Sequence, residues 1–411
     1  MNRLSTKEFT TPEPTRHNRW PKEPDFWRLW LIGAVQFCVR WIEMLAIAVM
    51  VYQTTGSALL VTFMALLRVL PMALFGAFIG AAADRYEGRT VLIFTTSVQF
   101  LSSATIALLA YRGHLETWHL AVSVFINGSV WAGDNAIRRL MIGRVVGTDR
   151  MSHAMTFDIG SSNVSRMAGP AIGGAVLAAW GIGGCFTLGT LLYMMSVVAA
   201  LRLDYRHPHK THVRGFLLRD ILDALRAVRS SRNLTGILAI TLIFNLFAWP
   251  ILSLIPVIGH DYLQLGPTGV GILASLEGVG ALTGVLAALA FARPEHQAKL
   301  YICSVPIYIT ALIAFALMPH PVLAGIALFI AGFGGSGFSI TQSAIVFRSV
   351  QLEMRARMLG LLTVTIGFGP LGFLQIGLLA DAMGAKYAIL TIGVEGLIAL
   401  LLTRRYWREI R

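Results

Sequence analysis

The chain has 411 residues, 55% of them hydrophobic and 13% charged, with a mean hydropathy of +0.67. Soluble proteins carry about 25% charged residues, so a water-soluble enzyme is excluded and a polytopic membrane protein is indicated. The formal charge of +13, from 34 Lys and Arg against 21 Asp and Glu, would suggest nucleic-acid binding in a soluble chain. In a membrane chain its meaning depends on where the cations sit.

Residues 1–25 are polar, include Pro12, Pro14, Pro21 and Pro24, and lack the apolar core of a secretory signal. They read as a disordered cytoplasmic tail. A spanning helix needs roughly 20 apolar residues, and runs of that kind fall at 29–51, 58–79, 90–110, 119–136, 155–179 and 185–203. After a polar stretch, six more follow at 234–258, 269–292, 300–318, 322–347, 358–380 and 387–403. The short alternating segments of a barrel are missing, and only helices or closed barrels satisfy every backbone group in lipid. The expected fold is therefore an all-α membrane protein with twelve transmembrane helices. Its parts are a tail (1–25), a first six-helix bundle (26–203), a linker (204–233), a second six-helix bundle (234–403) and a short C-terminal tail (404–411).

Within the linker, Phe216, Leu217, Ile221, Leu222, Leu225 and Val228 recur at helical spacing against Arg219, Asp220, Asp223, Arg226 and Arg229. This pattern predicts an amphipathic helix lying on the membrane surface. His207, His209 and His212 precede it, but their spacing matches no defined metal site and they read as a solvated loop. Cys38, Cys185 and Cys303 lie far apart in apolar runs and read as small packing residues.

Cytoplasmic loops are enriched in Lys and Arg. With the N-terminus inside, 29 of the 34 cations fall on the inner side, Arg112 and Lys386 fall outside, and Arg40, Arg68 and Arg166 lie within spans. Both termini are thus expected to be cytoplasmic, and the positive charge marks orientation toward anionic lipid instead of nucleic acid. Trp20, Trp27, Trp30 and Trp407 flank inner ends and Trp118 and Trp180 outer ends, where tryptophan anchors helices at the interface.

At the inner end of the second span stands Gly80-Ala-Ala-Ala-Asp84-Arg85-Tyr-Glu-Gly88-Arg89. Its spacing of Gly, Asp and Arg resembles the loop signature between helices two and three of the major facilitator superfamily. The resemblance implies two pseudo-symmetric six-helix bundles that alternate access to a central cavity. It also implies that Asp84 helps latch an inner gate against the start of the eleventh span, where Arg355 and Arg357 stand. Gly169-Pro170-Ala-Ile-Gly173-Gly174 in the fifth span is similar to the antiporter motif of that superfamily. Two readings are open for it, a pliable hinge made by the proline-freed carbonyl and plain Gly-rich helix packing. Thr55-Gly56-Ser57, Leu70-Pro71 and the stretch from Asn163 to Arg166 resemble the bacterial exporter branch that includes the enterobactin exporter. Gly169-Pro170 recurs 200 residues on as Gly369-Pro370, which supports a duplication. Departures from the family pattern are a fourth span, 119–136, with Asn127 where drug antiporters embed an arginine, and a second-half loop copy from Gly284 to Arg293 without the Asp.

Ionisable groups at the bilayer centre cost ~2.5 to 3.5 kcal/mol each and mark functional positions. Gln36, Arg40 and Glu43 share one helical stripe of the first span. Glu43 is the first candidate for proton coupling, since burial favours the neutral acid and a nearby cation favours the carboxylate; the competing reading is a permanent Arg40–Glu43 ion pair. Glu277, with no cation in its own span, is the second candidate. Glu395 reads as structural, and Asp158 as a hydrated group near the inner surface. Arg40, Arg68 and Arg166, with Asn163 nearby, either attract an anionic or catechol-like ligand or each pair with a carboxylate.

No phosphate-binding loop of an ATP-driven pump is present. The expected function is secondary, proton-coupled export of a drug- or siderophore-like molecule across a bacterial inner membrane by a monomer without cofactor or metal. Uptake of a nutrient or metal complex uses the same fold and stays open as the alternative. An embedded enzyme would need a catalytic constellation, and none with suitable spacing is found.

Overall fold

A computed structural model of the chain describes residues 21, 23–85, 87–147, 149–204, 228, 231–291, 293–350 and 354–407. Among these residues there is no strand, and nine helices are long and apolar enough to cross a membrane. The N-terminal tail and nearly all of the linker, including its amphipathic pattern and histidines, lie outside the described residues.

The first half is built from α1 (Pro24–Thr55), α2 (Ala58–Arg85), α3 (Gly88–Tyr111), α4 (Thr117–Val146) and α5 (Met151–Leu201). Pro24 opens α1 where its missing N–H goes unmissed. Gly56 closes the helix at φ 65°, a left-handed cap that glycine adopts without steric penalty. Helix α5 is 51 residues long, more than twice what a bilayer requires. One residue, Gly181 at φ 64° and ψ −168°, divides it into two passes, the fifth and sixth expected from the hydropathy runs.

The second half opens with α6 (Arg232–Ile243), a π-helical turn (Phe244–Ala248), a 3-10 turn (Trp249–Leu254) and α7 (Ile255–Asp261). Together they make one apolar passage of 30 residues. Pro250 and Pro256 lack N–H groups and crowd the carbonyls four residues back, which accounts for the irregular turns. Next come α8 (Pro267–Phe291), α9 (Gln297–Leu317) and α10 (Pro321–Ser349). The eleventh pass is α11 (Arg355–Ile366) and α12 (Gly369–Met383), broken between them, and the twelfth is α13 (Ala385–Trp407). Among the described residues the helices thus make six passes and six, wrapped in side chains such as Phe94, Leu289 and Leu402 that are exposed where lipid would lie.

Two seams join the halves, and small residues make both possible. Along α5 and α8, a Cβ on Gly174 would come within 3.0 Å of Gly271 Cα, and one on Gly278 within 2.6 Å of the Arg166 carbonyl oxygen. Along α2 and α12, Gly377 leaves room for Thr62 and Leu59. At one end of the molecule, Tyr52 Oη donates to Asp261, and Ser57 Oγ donates to Asp381 Oδ1 at 3.3 Å, tying first half to second.

Two sequence expectations are corrected. The fourth pass does not stop at 136 but runs to Val146, so Arg138 is helical and, like Asp134 one turn before it, fully buried. Hydropathy ends the span early because it reads a charged cluster as solvent-exposed, whereas here the charges pair inside the bundle. Asp158 is likewise not hydrated but has no exposed surface.

Candidate substrate cavity

Between the halves lies a cavity of about 490 Å³. The first half contributes four guanidinium groups to it, Arg40, Arg68, Arg139 and Arg166, with Trp41 and Trp131. The second half contributes Phe244, Trp249, Tyr308 and Phe338, the amides Asn245 and Gln342, and one acid, Glu277. The wall is therefore cationic on one side and aromatic on the other.

Each guanidinium has a different environment. Arg166 Nε donates to Glu277 Oε2 at 2.9 Å and Nη2 donates to Oε1, a two-pronged ion pair across the seam of the halves. Gly278, next to Glu277, brings α8 against the α5 backbone at Arg166 and so sets the two groups within reach. Arg139 Nε donates to Asp158 Oδ2 at 2.8 Å, and Arg138 Nη1 takes Oδ1 of the same carboxylate. Gly33 of α1 makes this burial possible, since a Cβ there would collide with the Arg138 guanidinium. Arg40 stacks over Trp131 with its guanidinium carbon 4.3 Å from the ring centroid, and its Nε has no acceptor. Arg68 is held where Gly128 lets α4 touch the α2 backbone, and Glu43 is near enough to act on it electrostatically without a hydrogen bond.

The stripe on α1 divides between neighbours. Gln36 Nε2 donates to Gln99 Oε1 at 3.2 Å and to the Asp134 carboxylate, which also accepts from Thr95 Oγ1 at 3.0 Å. Glu43 points away from Arg40, accepts from Ser103 Oγ at 3.0 Å through Oε1, and leaves Oε2 buried without a partner. No Arg40–Glu43 ion pair forms. Of the stripe, only Arg40 lines the cavity, and Asn163 bonds its own helix at the Ile159 carbonyl, 2.9 Å away. Glu395 accepts from Gln375 Nε2 at 2.7 Å, and neither residue lines the cavity.

The Gly-Pro motif sits at close helix contacts, and the Ala171 N–H donates to Ser275 Oγ of α8 at 2.9 Å. Helix α5 stays regular through Pro170, while a Cβ on Gly169 would lie 2.6 Å from Trp41 Cβ and one on Gly173 3.0 Å from Ile42 Cα. Gly80, Asp84 and Arg85 end α2, and Arg355 and Arg357 open α11, but their side chains lie outside the described residues. Arg89 Nη2 donates to the Leu201 carbonyl at 2.8 Å, bridging α3 to the end of α5. Missed by the sequence reading were Asp134, Arg138 and Arg139; the signal available was Asp134 and Arg138 at i and i+4, one helical face. Among the described residues no cluster suited to a metal ion occurs.

Two sets of six helical passes facing one another across a cavity lined by guanidinium groups and aromatic rings make a membrane transporter of the major facilitator superfamily. Within it, the chain belongs to the transmembrane secretion effector family, which matches residues 21–408. It is 21% identical to macrolide efflux protein A of Streptococcus pyogenes over 92% of this chain and 94% of that one. It is 25% identical to the enterobactin exporter EntS of Shigella flexneri over 80% of each chain. Among solved structures, a bacterial homologue of the lysosomal transporter Spinster, in an inward-facing and unoccupied conformation, superposes with a TM-score of 0.74. That likeness covers 94% of this chain and 97% of the other at 16% identity.

Proposed function

We propose that this chain is a proton-coupled secondary exporter of a small organic molecule, drug- or siderophore-like, working as a monomer in a bacterial inner membrane with both termini cytoplasmic. The observation that carries the reading is the Arg166–Glu277 ion pair, which lies in the cavity and spans the seam of the two halves. Rocking of one bundle against the other must break or re-form it, so protonation of Glu277 or arrival of a charged ligand would bias the two access states. Glu43 is the second carboxyl in this scheme, buried beside Arg68 with one oxygen unpartnered. Residues 26–203 and 234–403 act as the two moving bundles, and Asp84 with Arg355 or Arg357 forms the inner latch. Relatives named for macrolide and enterobactin efflux favour export over uptake.

The test uses inverted membrane vesicles containing the chain and energised to an acid interior. Addition of a macrolide or a catecholate siderophore should collapse part of the pH gradient and load the vesicles, and both effects should be absent with Glu277→Gln. Loading that proceeds unchanged after the gradient is dissipated rules out proton coupling.

A further inference from the structure

The cavity holds more positive charge than the protein neutralises. Asp158 is engaged by Arg138 and Arg139, Glu277 by Arg166, and Asp134 by Gln36 and Thr95. Glu43 is bonded to Ser103 behind the cavity wall. Among the described residues neither Arg40 nor Arg68 has a carboxylate within hydrogen-bonding reach; Arg68 has Glu43 near enough to act on it electrostatically, whereas half-buried Arg40 has no such acid and is repelled by both Arg68 and Arg166. Buried, uncompensated charge is strongly unfavourable, and proteins retain it where a ligand supplies the counter-charge.

Hydrogen-bonding capacity points the same way. Arg40 Nε and Trp131 Nε1 both line the cavity region as buried donors without acceptors. Both atoms are donors only, so a ligand that satisfies them directly must present acceptor atoms there. Opposite stand the stacked rings of Phe244 and Phe338, 4.1 Å apart and 21° from parallel, which suit a flat apolar body.

We propose that Arg40 and Arg68, with Trp131, form an anion-binding subsite, and that the transported molecule is an amphipathic organic anion. Its oxyanion lies between the two guanidinium groups and its aromatic or apolar body lies on the second-half wall. This assignment rests on the transporter reading and gives it a substrate class. It also separates the chain from carriers of lipophilic cations, which need an unpaired acid in the cavity; here the lining acid is already bound to Arg166.

The test compares three probes with one body, 2-naphthoate, 2-naphthamide and 2-naphthylmethylammonium, on the full chain purified in a neutral detergent. Binding is read by titration calorimetry and by the shift in melting temperature. The anion should bind at least tenfold tighter than the amide, and the ammonium more weakly than either. Arg40→Gln with Arg68→Gln should erase the preference, and Arg40→Lys with Arg68→Lys should keep part of it, because lysine retains the charge without the planar fork. Absence of naphthoate binding, or equal binding of the amide or ammonium to the wild-type chain, overturns the subsite whatever the variants do. So does a preference that survives in the Gln double variant. Selective naphthoate binding by a chain that moves nothing along a pH gradient keeps the subsite and removes the exporter reading; gradient-driven transport without anion preference does the reverse.

Discussion

Helix α1 and the α6–α7 passage open the two halves at equivalent places in the fold, yet they are built in opposite ways. Helix α1 is an unbroken rod of 32 residues that carries Gln36, Arg40 and Glu43 into the membrane. The α6–α7 passage has no Asp, Glu, Lys or Arg between Arg232 and Asp261, and its backbone passes through π and 3-10 turns around Pro250. Charges in lipid need partners at fixed distances, which a regular helix supplies. Irregular backbone at membrane depth is tolerated where it lines a cavity, and this passage does so with Phe244, Asn245, Trp249 and Ser253. The first half thus carries four of the five charged side chains that line the cavity, and the second carries most of its aromatic wall.

The sharpest way to break this division is at the charged side. Asp158, fully buried, is the only carboxylate bonded to Arg138 among the described residues and also holds Arg139. Asp158→Ala strands a buried guanidinium, and such losses cost about 3–5 kcal/mol. The expected outcome is a large fall in melting temperature, or failure to accumulate as a monodisperse species in detergent, read by size-exclusion chromatography after heating. A melting curve unchanged from wild type would show that the first half does not depend on fixed charge pairing.

A smaller effect is expected where the halves meet. Glu277→Gln leaves Arg166 without its counter-charge, but the Arg166 side chain is 30% exposed and can recruit water. Stability should fall by roughly 1–3 kcal/mol while gradient-driven transport is lost. The exchange Arg166→Glu with Glu277→Arg should recover stability better than transport, because the pair is restored but the cavity charge is moved to the other half. Melting curves and vesicle uptake on the same preparations separate the two.

Much of this contrast was legible in the residues, and the failures have one cause. Hydropathy located the twelve passes because lipid demands long apolar helices, and the Gly-Asp-Arg spacing at residues 80–89 pointed to the family. The in-membrane charges Arg40, Arg68 and Glu277 were visible as exceptions, and all three line the cavity. What one sequence could not display was pairing across the fold. Arg166 and Glu277 are 111 positions apart, and nothing local says that a glycine at 278 brings them together. The same blindness cut the fourth span short, since Arg138 and Arg139 look like a loop until Asp158 is seen between them. It also left the Gly-Pro motif open between hinge and packing. Pro170 lies inside a continuous helix whereas Pro370 starts one, so the same dipeptide occupies two different places in its helix.

On the aromatic side, Phe244→Ala removes one ring of the pair stacked with Phe338. Aromatic pairs contribute about 0.5–1.5 kcal/mol beyond area burial, so ligand affinity should weaken roughly two- to tenfold. Charge preference among the naphthalene probes should remain as in wild type. If Phe244→Ala alters charge preference as much as affinity, the two walls are not independent and the division drawn from α1 and α6–α7 fails.

Glu395 bounds the comparison from below. It is a carboxylate inside a spanning helix, as Glu277 is, but its partner is the neutral Gln375 amide, 2.7 Å away on the neighbouring α12, and it does not line the cavity. A neutral acid or an amide at this place can keep a hydrogen bond with Gln375, so Glu395→Gln strands no charge. The expected change in stability is within about 0.5 kcal/mol, with transport and probe binding unaltered. If position within a span were enough to make an acid functional, this variant would behave like Glu277→Gln. The structure predicts that it does not, because what distinguishes Glu277 is an arginine from the opposite half.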